Sequence, residues 1–556
     1  MRAVLFLLFF SFFCQNTWGQ SNASLYWVKL KDKGNTEYAL KNPTTFLSKK
    51  AIERRIKQNI SINSVDLPVN SAYLEAVKAL HIEIKKTSKW FNSILVSCDS
   101  IQLKSLKQLP FVTDAHELKE NSTAQNGFNK FEITNNAPLS ATSNAHTNNS
   151  ATAIDYGYSF SQNNQINVNC LHQQGFMGQG ITIAVLDAGF YNTNALSIFD
   201  SLFLNNQLLG TRDIVTGDTM VFEDFPHGMN VLSCMVANKP GEMVGSAPKA
   251  NYWLIRTEDA NSETLVEEIY WAIGAEFADS VGVDIINSSL GYNYFDNGTD
   301  SHTYEDMDGN TTIITQAADI AASKGMLVVS SAGNYGAGPW YKITAPADAD
   351  SILTVGAVDS LGIIAGLSSR GPTYDGRIKP NVVARGLNAV IAGNGGGVTY
   401  SSGTSFSSPI VAGAVACLWQ AHPNATNMEL IEAIQQSASL HTNPDTTMGY
   451  GIPNFCTAAN ILTSITKKEN TEDQITVYPS PFENSINIVF NTNKKKELRI
   501  SVTDVLGNKV IAPFNKTILS GENKIKIEQL THLQSGIYLI HINDSEKNQY
   551  KKVIKQ

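Results

Sequence analysis

The chain has 556 residues, with 42 Lys+Arg against 50 Asp+Glu for a formal charge of -8, and is 42% hydrophobic and 17% charged. This balance excludes a mainly disordered, collagen-like or coiled-coil protein, and it gives no sign of a nucleic-acid partner. At roughly 150 residues per domain the length suggests three or four domains.

The chain begins Met1-Arg2, then runs from Ala3 to Cys14 with Ser11 as the one polar residue. That stretch is too short to cross a membrane. Small residues follow at Thr17 and Gly19, so residues 1–19 read as a secretory signal cut after Gly19. Phe13 stands where a lipoprotein signal needs a small residue before its Cys, which excludes that class. No transmembrane span is expected elsewhere; the apolar run Ile410 to Trp419 reads as a buried helix. Five cysteines remain after residue 19: Cys98, Cys170, Cys234, Cys417 and Cys456. An export signal permits disulfides, the odd count leaves at least one thiol unpaired within the chain, and the absence of CxxC spacing argues against zinc. Cys234 and Cys417 lie in apolar helical patterns and are expected as buried free thiols.

Residues 20–120 alternate strand and helix patterns: Tyr26 to Leu30 as a strand, Tyr73 to Leu80 as a helix, and Ile82 to Cys98 as strand-rich around Lys89-Trp90-Phe91-Asn92. Ile101 to Leu109 follows as a helix and Phe111 to Thr113 as a last strand. This order predicts a small α+β module. Residues 121–153, crowded with Asn, Ser, Thr and Ala, cannot bury a core and read as an exposed linker open to cleavage. Residues 154–463 carry continuous apolar runs separated by helical stretches: Ile181 to Leu186, Tyr252 to Ile255, Asp284 to Asn287, Met326 to Val329 and Ile352 to Val355. The pattern predicts an α/β domain, a doubly wound parallel sheet covered on both faces, with its site at the carboxyl ends of the strands. Residues 464–473 read as a charged linker, and 474–556 as a small β-sandwich with strands at Ile486 to Phe490, Leu498 to Val502, Lys524 to Ile527 and Ile537 to Ile542. The charge is uneven. Residues 20–153 hold 17 basic and 11 acidic side chains, and residues 154–463 hold 10 and 29. That asymmetry predicts electrostatic docking of the first module on the second.

Four segments of the acidic domain carry chemistry. Ala184 to Leu186 ends in Asp187, followed by Ala188-Gly189. Asp224-Phe225-Pro226-His227-Gly228 leads into the apolar helix Met229 to Val236. Gly403-Thr404-Ser405 meets a helix N-terminus, with Pro409 expected in its first turn. Strand Met326 to Val329 runs into Ser331-Ala332-Gly333-Asn334, offering an amide donor just past a strand end. A serine hydroxyl becomes a useful nucleophile only when a histidine takes its proton, and the histidine needs a buried carboxylate to fix its tautomer. Free N–H groups at the serine helix and the Asn334 amide could together hold an oxyanion. Each residue alone fits a turn or a cap. Together they follow the order Asp, His, Ser, with gaps of 40 and 178 residues, which is the order of subtilisin and not of chymotrypsin or the α/β-hydrolases.

The chain resembles the subtilisin-like serine proteases, or subtilases, in Val185-Leu186-Asp187-Ala188-Gly189, His227-Gly228, Asn287-Ser288-Ser289-Leu290-Gly291, Ser331-Ala332-Gly333-Asn334 and Gly403-Thr404-Ser405 with Ser408-Pro409. The resemblance implies Asp187, His227 and Ser405 as the catalytic triad and Asn334 as the oxyanion donor. It implies Ser289, Leu290, Gly291, Ala332 and Gly333 as the walls of a channel that pairs with an extended peptide. Met229-Asn230 stands where the family has Thr-His, and Phe406-Ser407-Ser408-Pro409 where it has Met-Ala-Ala-Pro. Residues 20–120 resemble the inhibitory propeptide of such enzymes, a partner in cis. Residues 474–556 resemble the sorting domain of bacterial type IX secretion through Val477-Tyr478-Pro479-Ser480-Pro481, Asp504-Val505-Leu506-Gly507, Ser535-Gly536-Ile537-Tyr538-Leu539 and Lys551-Lys552-Val553-Ile554-Lys555.

The expectation is a secreted or cell-surface serine endopeptidase, exported through the periplasm as an autoprocessed zymogen, acting on polypeptides through an acyl-enzyme. The rival is a catalytically silent surface-binding protein on the same scaffold. No cofactor is expected. Subtilases often bind structural calcium, but no ligand set is visible, since Asp306-Met307-Asp308-Gly309-Asn310 lacks the distal Glu of a calcium loop. Cleavage specificity, the maturation site, disulfide pairing and oligomeric state stay open.

Overall fold

The computed structural model describes residues 23–34, 36–119, 154–471, 474–492, 495–544 and 548–556. The expected signal at 1–19 and linker at 121–153 lie outside the described residues. The chain divides into two compact units, Met1–Leu462 and Thr463–Gln556.

The first unit opens with β1 (Ser24–Leu30), α1 (Lys49–Lys57), α2 (Ser71–Lys78), β2 (Glu83–Ser88), β3 (Ser93–Cys98), α3 (Ser100–Leu106) and β4 (Val112–Leu118). The strands form an antiparallel sheet in the order β2-β3-β1-β4. Asn70 and Asp99 start α2 and α3 by accepting main-chain N–H groups. Helix α1 is the element with no counterpart in the sequence reading. Its Lys49-Lys50-Ala51-Ile52-Glu53-Arg54-Arg55-Ile56-Lys57 has no apolar stripe, and it buries Arg54 and Arg55 while Ile56 is exposed.

The larger domain follows in the same unit. Its seven strands are β5 (Thr182–Asp187), β6 (Leu208–Asp213), β7 (Asn251–Arg256), β8 (Ile285–Ser288), β9 (Leu327–Ser331), β10 (Leu353–Val358) and β11 (Val382–Arg385). They pair in parallel, in the order β11-β10-β9-β8-β5-β7-β6. The central five are the apolar runs read from sequence; β6 and β11 are edge additions. Alternate residues face opposite cores, as a two-sided sheet requires. Ile183, Val185, Ile285 and Val329 meet helices α4 (His227–Val236) and α7 (Thr404–Ala421), whereas Ala184, Leu186, Ile286 and Val328 meet α5 (Val266–Val281) and α6 (Ile313–Ser323). Thr312 caps α6 by accepting from the Thr315 N–H at 3.2 Å. Cys170 and Cys456 form a disulfide across 286 residues of sequence, while Cys98, Cys234 and Cys417 are free and buried.

The charged stretch from residue 464, expected as a linker, is instead the C-terminal part of a helix, Phe455–Thr471. Lys, Glu and Thr in such a run carry no helix-breaking penalty, so polarity there does not signal a break. Among its described residues the second unit holds seven antiparallel strands in sheets of three and four, with Ile488 and Phe490 of one sheet and Ile500, Ile540 and Val553 of the other in one core. This is the expected small sandwich.

Candidate active site

Sheet order brings the sequence candidates together. Strands β9, β8 and β5 are neighbours, so Asn334, Ser289 and Asp187 lie past or at the carboxyl ends of adjacent strands. Every residue of β5 is buried, which drives Asp187, its last residue, to full burial. Asp187 Oδ1 accepts from the Ala188 N–H at 2.8 Å and lies 2.7 Å from His227 Nδ1. His227 is the first residue of α4 and is 3% exposed. Gly228 permits that approach. A Cβ there would stand 2.4 Å from the Gly189 carbonyl oxygen and 2.9 Å from Asp187 Cβ.

Ser405 is the second residue of α7 and is 8% exposed. The His227 ring lies 6.2 Å, centroid to centroid, from that of Phe406, the residue after Ser405. Helix α7 begins at Thr404, so Pro409 sits inside it and not in its first turn as expected. Proline has no N–H to give to the carbonyl four residues earlier. That carbonyl belongs to Ser405, and the Ser289 hydroxyl donates to it instead, at 2.9 Å. In return Ser405 Oγ lies 3.3 Å from the Ser289 carbonyl. Ser408 Oγ donates to Asn287 Oδ1 at 3.0 Å, and Asn287 Nδ2 donates to Ser289 Oγ at 3.3 Å. Helix α7 is thus laced to the end of β8 at the serine.

Asn334 Oδ1 accepts from both the N–H and the hydroxyl of Thr404, at 2.9 Å each. With the oxygen occupied, the amide orientation is set and Nδ2 is the group left to donate. Gly333, at φ +102°, donates its N–H to Thr404 Oγ1 at 3.2 Å, and its carbonyl accepts from the Ser369 N–H at 2.9 Å. Ala332 gives its N–H to the Val355 carbonyl at 3.0 Å. In contrast, the main chain of Leu290 and Gly291 makes no hydrogen bond among the described residues, although the Leu290 side chain is buried.

The departures from the family pattern have local explanations. Asn230 Nδ2 donates to the Ala392 carbonyl at 2.8 Å and to Asn394 Oδ1 at 3.1 Å, tying α4 to the chain that returns toward Ser405. Phe406 packs against the His227 ring. Sequence reading missed one further cluster: Glu258, Glu263 and Glu267 are buried with carboxylate oxygens within 4.8 Å of one another, a spacing that suits a hard divalent cation.

It also missed the residues that seat the first module. Asp279 of α5 is buried and meets Arg54 at 2.6 Å, Arg55 at 2.9 Å and Lys89 at 3.2 Å. Burial alone would push the Asp279 carboxyl up; Lys89, Arg54 and Arg55 outweigh it and hold the group at about 2. Glu276, one turn earlier, accepts the main-chain N–H groups of Lys89 at 2.8 Å and Trp90 at 3.1 Å, and the Ser88 hydroxyl. Lys50 pairs with Asp284 at 2.6 Å. Leu95 and Leu118 pack on Val266 and Ile269 beside these polar contacts. The docking predicted from net charge is therefore specific: a basic sheet and helix seated on the acidic helix α5.

Comparison with known proteins matches three parts of the chain to families. The subtilase family model matches residues 178–451, the S8 peptidase propeptide domain of Bacteroidota matches 25–132, and the secretion system C-terminal sorting domain matches 476–556. The chain is 30% identical to subtilisin E of Bacillus subtilis (strain 168) over 293 residues, covering 52% of this chain and 67% of that protein. It is 30% identical to subtilisin of Bacillus pumilus over 293 residues, covering 93% of that protein. With subtilisin Savinase of Lederbergia lenta the identity is 31% over 271 residues, 48% of this chain and 87% of the relative. The chain belongs to the subtilase family: it is a subtilisin-like serine endopeptidase with a propeptide and a type IX sorting domain, secreted or held at the cell surface.

Proposed function

We propose that the protein hydrolyses peptide bonds through Ser405, His227 and Asp187 and is made as an autoprocessed zymogen. The observation that carries the reading is the buried 2.7 Å contact of Asp187 with His227, beside a helix start that holds Ser405 against Ser289. His227 Nδ1 is engaged by Asp187, so Nε2 is the ring nitrogen that exchanges a proton with Ser405. Ser405 Oγ attacks the scissile carbonyl as His227 takes its proton, and Asp187 stabilises the imidazolium that forms. The imidazolium then returns the proton to the leaving amine, giving an acyl-enzyme that water hydrolyses by the same steps in reverse. The Ser405 N–H and Asn334 Nδ2 hold the oxyanion. Leu290 and Gly291, with their main-chain groups unspent, pair with the substrate as an added strand. The propeptide blocks the enzyme until it is cut within 121–153, and residues 474–556 engage the secretion machinery.

A fluorophosphonate reagent tests the nucleophile. Mature protein should gain one adduct, located by peptide mass on Ser405. A folded protein that takes up no label would favour the silent binding scaffold.

A further inference from the structure

A cavity of about 440 Å³ opens beside the catalytic pair, on the side of Ala188 and Pro226, the residues next to Asp187 and His227. Tyr191, Glu223, Asp224 and Arg256 line it as well. We propose that this cavity receives a substrate side chain flanking the scissile bond and selects Lys or Arg there through Glu223 and Asp224. The inference rests on the catalytic reading above and adds to it the class of substrate.

The charge balance decides the sign. Arg256 is the one cation in the lining, and it is engaged elsewhere. It donates to Asp213 at 2.8 Å and to the Ala188 carbonyl at 3.2 Å, and lies 3.5 Å from Asp224 and 3.9 Å from Asp259. Three carboxylates therefore surround one guanidinium. Glu223 adds a further negative charge, exposed and with no ion-pair partner among the described residues. The same excess shows on Asp224. Burial raises its carboxyl, Arg256 lowers it, and Asp213, Asp218 and Glu223 raise it again. A cationic side chain entering between Glu223 and Asp224 would meet an uncompensated field in a site partly screened from water. Asp224 lies three residues before His227, with Pro226 at the start of α4 between them, so the carboxylate stands close in the chain to the histidine. The surrounding domain, with 10 basic and 29 acidic side chains between residues 154 and 463, draws the same class of substrate from a distance.

The test uses mature enzyme processed from the full chain. Internally quenched peptides, identical except for Lys, norleucine or Glu placed in turn at each position around the scissile bond, give ratios of kcat/KM. A ratio taken within one preparation does not depend on its active fraction. At one position the Lys-to-norleucine ratio should reach about five- to tenfold, shrink with added salt, and fall toward one in Glu223→Gln/Asp224→Asn. Glu223→Gln alone, which disturbs no ion pair, should remove part of it. Three results would overturn the inference: no position favouring Lys, a Lys preference that survives both substitutions, or a preference for Glu, which would give the cavity to Arg256. If none of the peptides is cleaved, the catalytic reading falls first and this inference falls with it.

Discussion

Asp187 and Asp279 are both fully buried carboxylates of one domain, and their surroundings differ. Asp279 meets three permanent cations from the propeptide, Arg54, Arg55 and Lys89. Asp187 meets a histidine and one main-chain N–H, and its Oδ2 has no hydrogen-bond partner among the described residues. A buried carboxylate is costly unless it is paired. At Asp279 the pairing is complete and static, which makes a clamp. At Asp187 it is incomplete until His227 gains a proton, which is the arrangement the proposed catalytic cycle requires. The two carboxylates illustrate how one residue type serves docking or chemistry according to whether its partner's charge is fixed or titrates.

Substitution separates the two roles. Asp187→Asn should lower kcat/KM by about 10⁴, through loss of the correct tautomer, while leaving the thermal transition nearly in place. Asp279→Asn should do the reverse. It leaves Arg54 and Lys89 buried without a carboxylate and should weaken propeptide docking by about 3–5 kcal/mol. The readout is the urea midpoint at which residues 23–119 come away in a Ser405→Ala background. Acid sharpens the same contrast. The Asp279 carboxyl is held below its ordinary 3.8, at about 2, in the docked state. Its contribution is full above 3.8 and is lost as pH falls through 2, so it should not vary between pH 5 and 8. Docking that holds steady between pH 5 and 8 and weakens as pH falls from 3.8 through 2 in the parent, with the acid loss absent in Asp279→Asn, would bear this out. Among the groups that act on developing charge, Asn334→Ala should cost about 10² to 10³ in kcat. Thr404→Val, which removes one of the two anchors on the Asn334 amide, should cost about tenfold, with KM moved less than kcat.

Much of the candidate site was legible in the sequence because a parallel sheet writes its central strands as continuous apolar runs. The residues at or just past the end of such a run mark a strand's carboxyl end, and Asp187, which ends one run, and Asn334, five residues after Val329, were found that way. The edge strands β6 and β11 were not, because Leu208–Asp213 is half polar and Val382–Arg385 is four residues long. Pro409 misled through a sound local rule. Its position inside α7 makes sense only once Ser289, 116 residues before Ser405, is seen to satisfy the Ser405 carbonyl that proline abandons. The clamp was invisible for the same reason. Arg54 and Asp279 are 225 residues apart, and a charged helix such as α1 reads as solvated until its partner surface is known. Net charge indicated that the modules would meet, but not which residues would meet.

The central claim is that Ser405 is the nucleophile of an enzyme that also processes itself. The most direct measurement follows intact masses of full-length parent and Ser405→Ala over time, with an unfolded protein present as substrate. The parent should cut the substrate and lose its N-terminal module by cleavage within 121–153, while Ser405→Ala stays full length, folded and inert. Substrate cleavage or propeptide loss at the parent's rate in purified Ser405→Ala would contradict it.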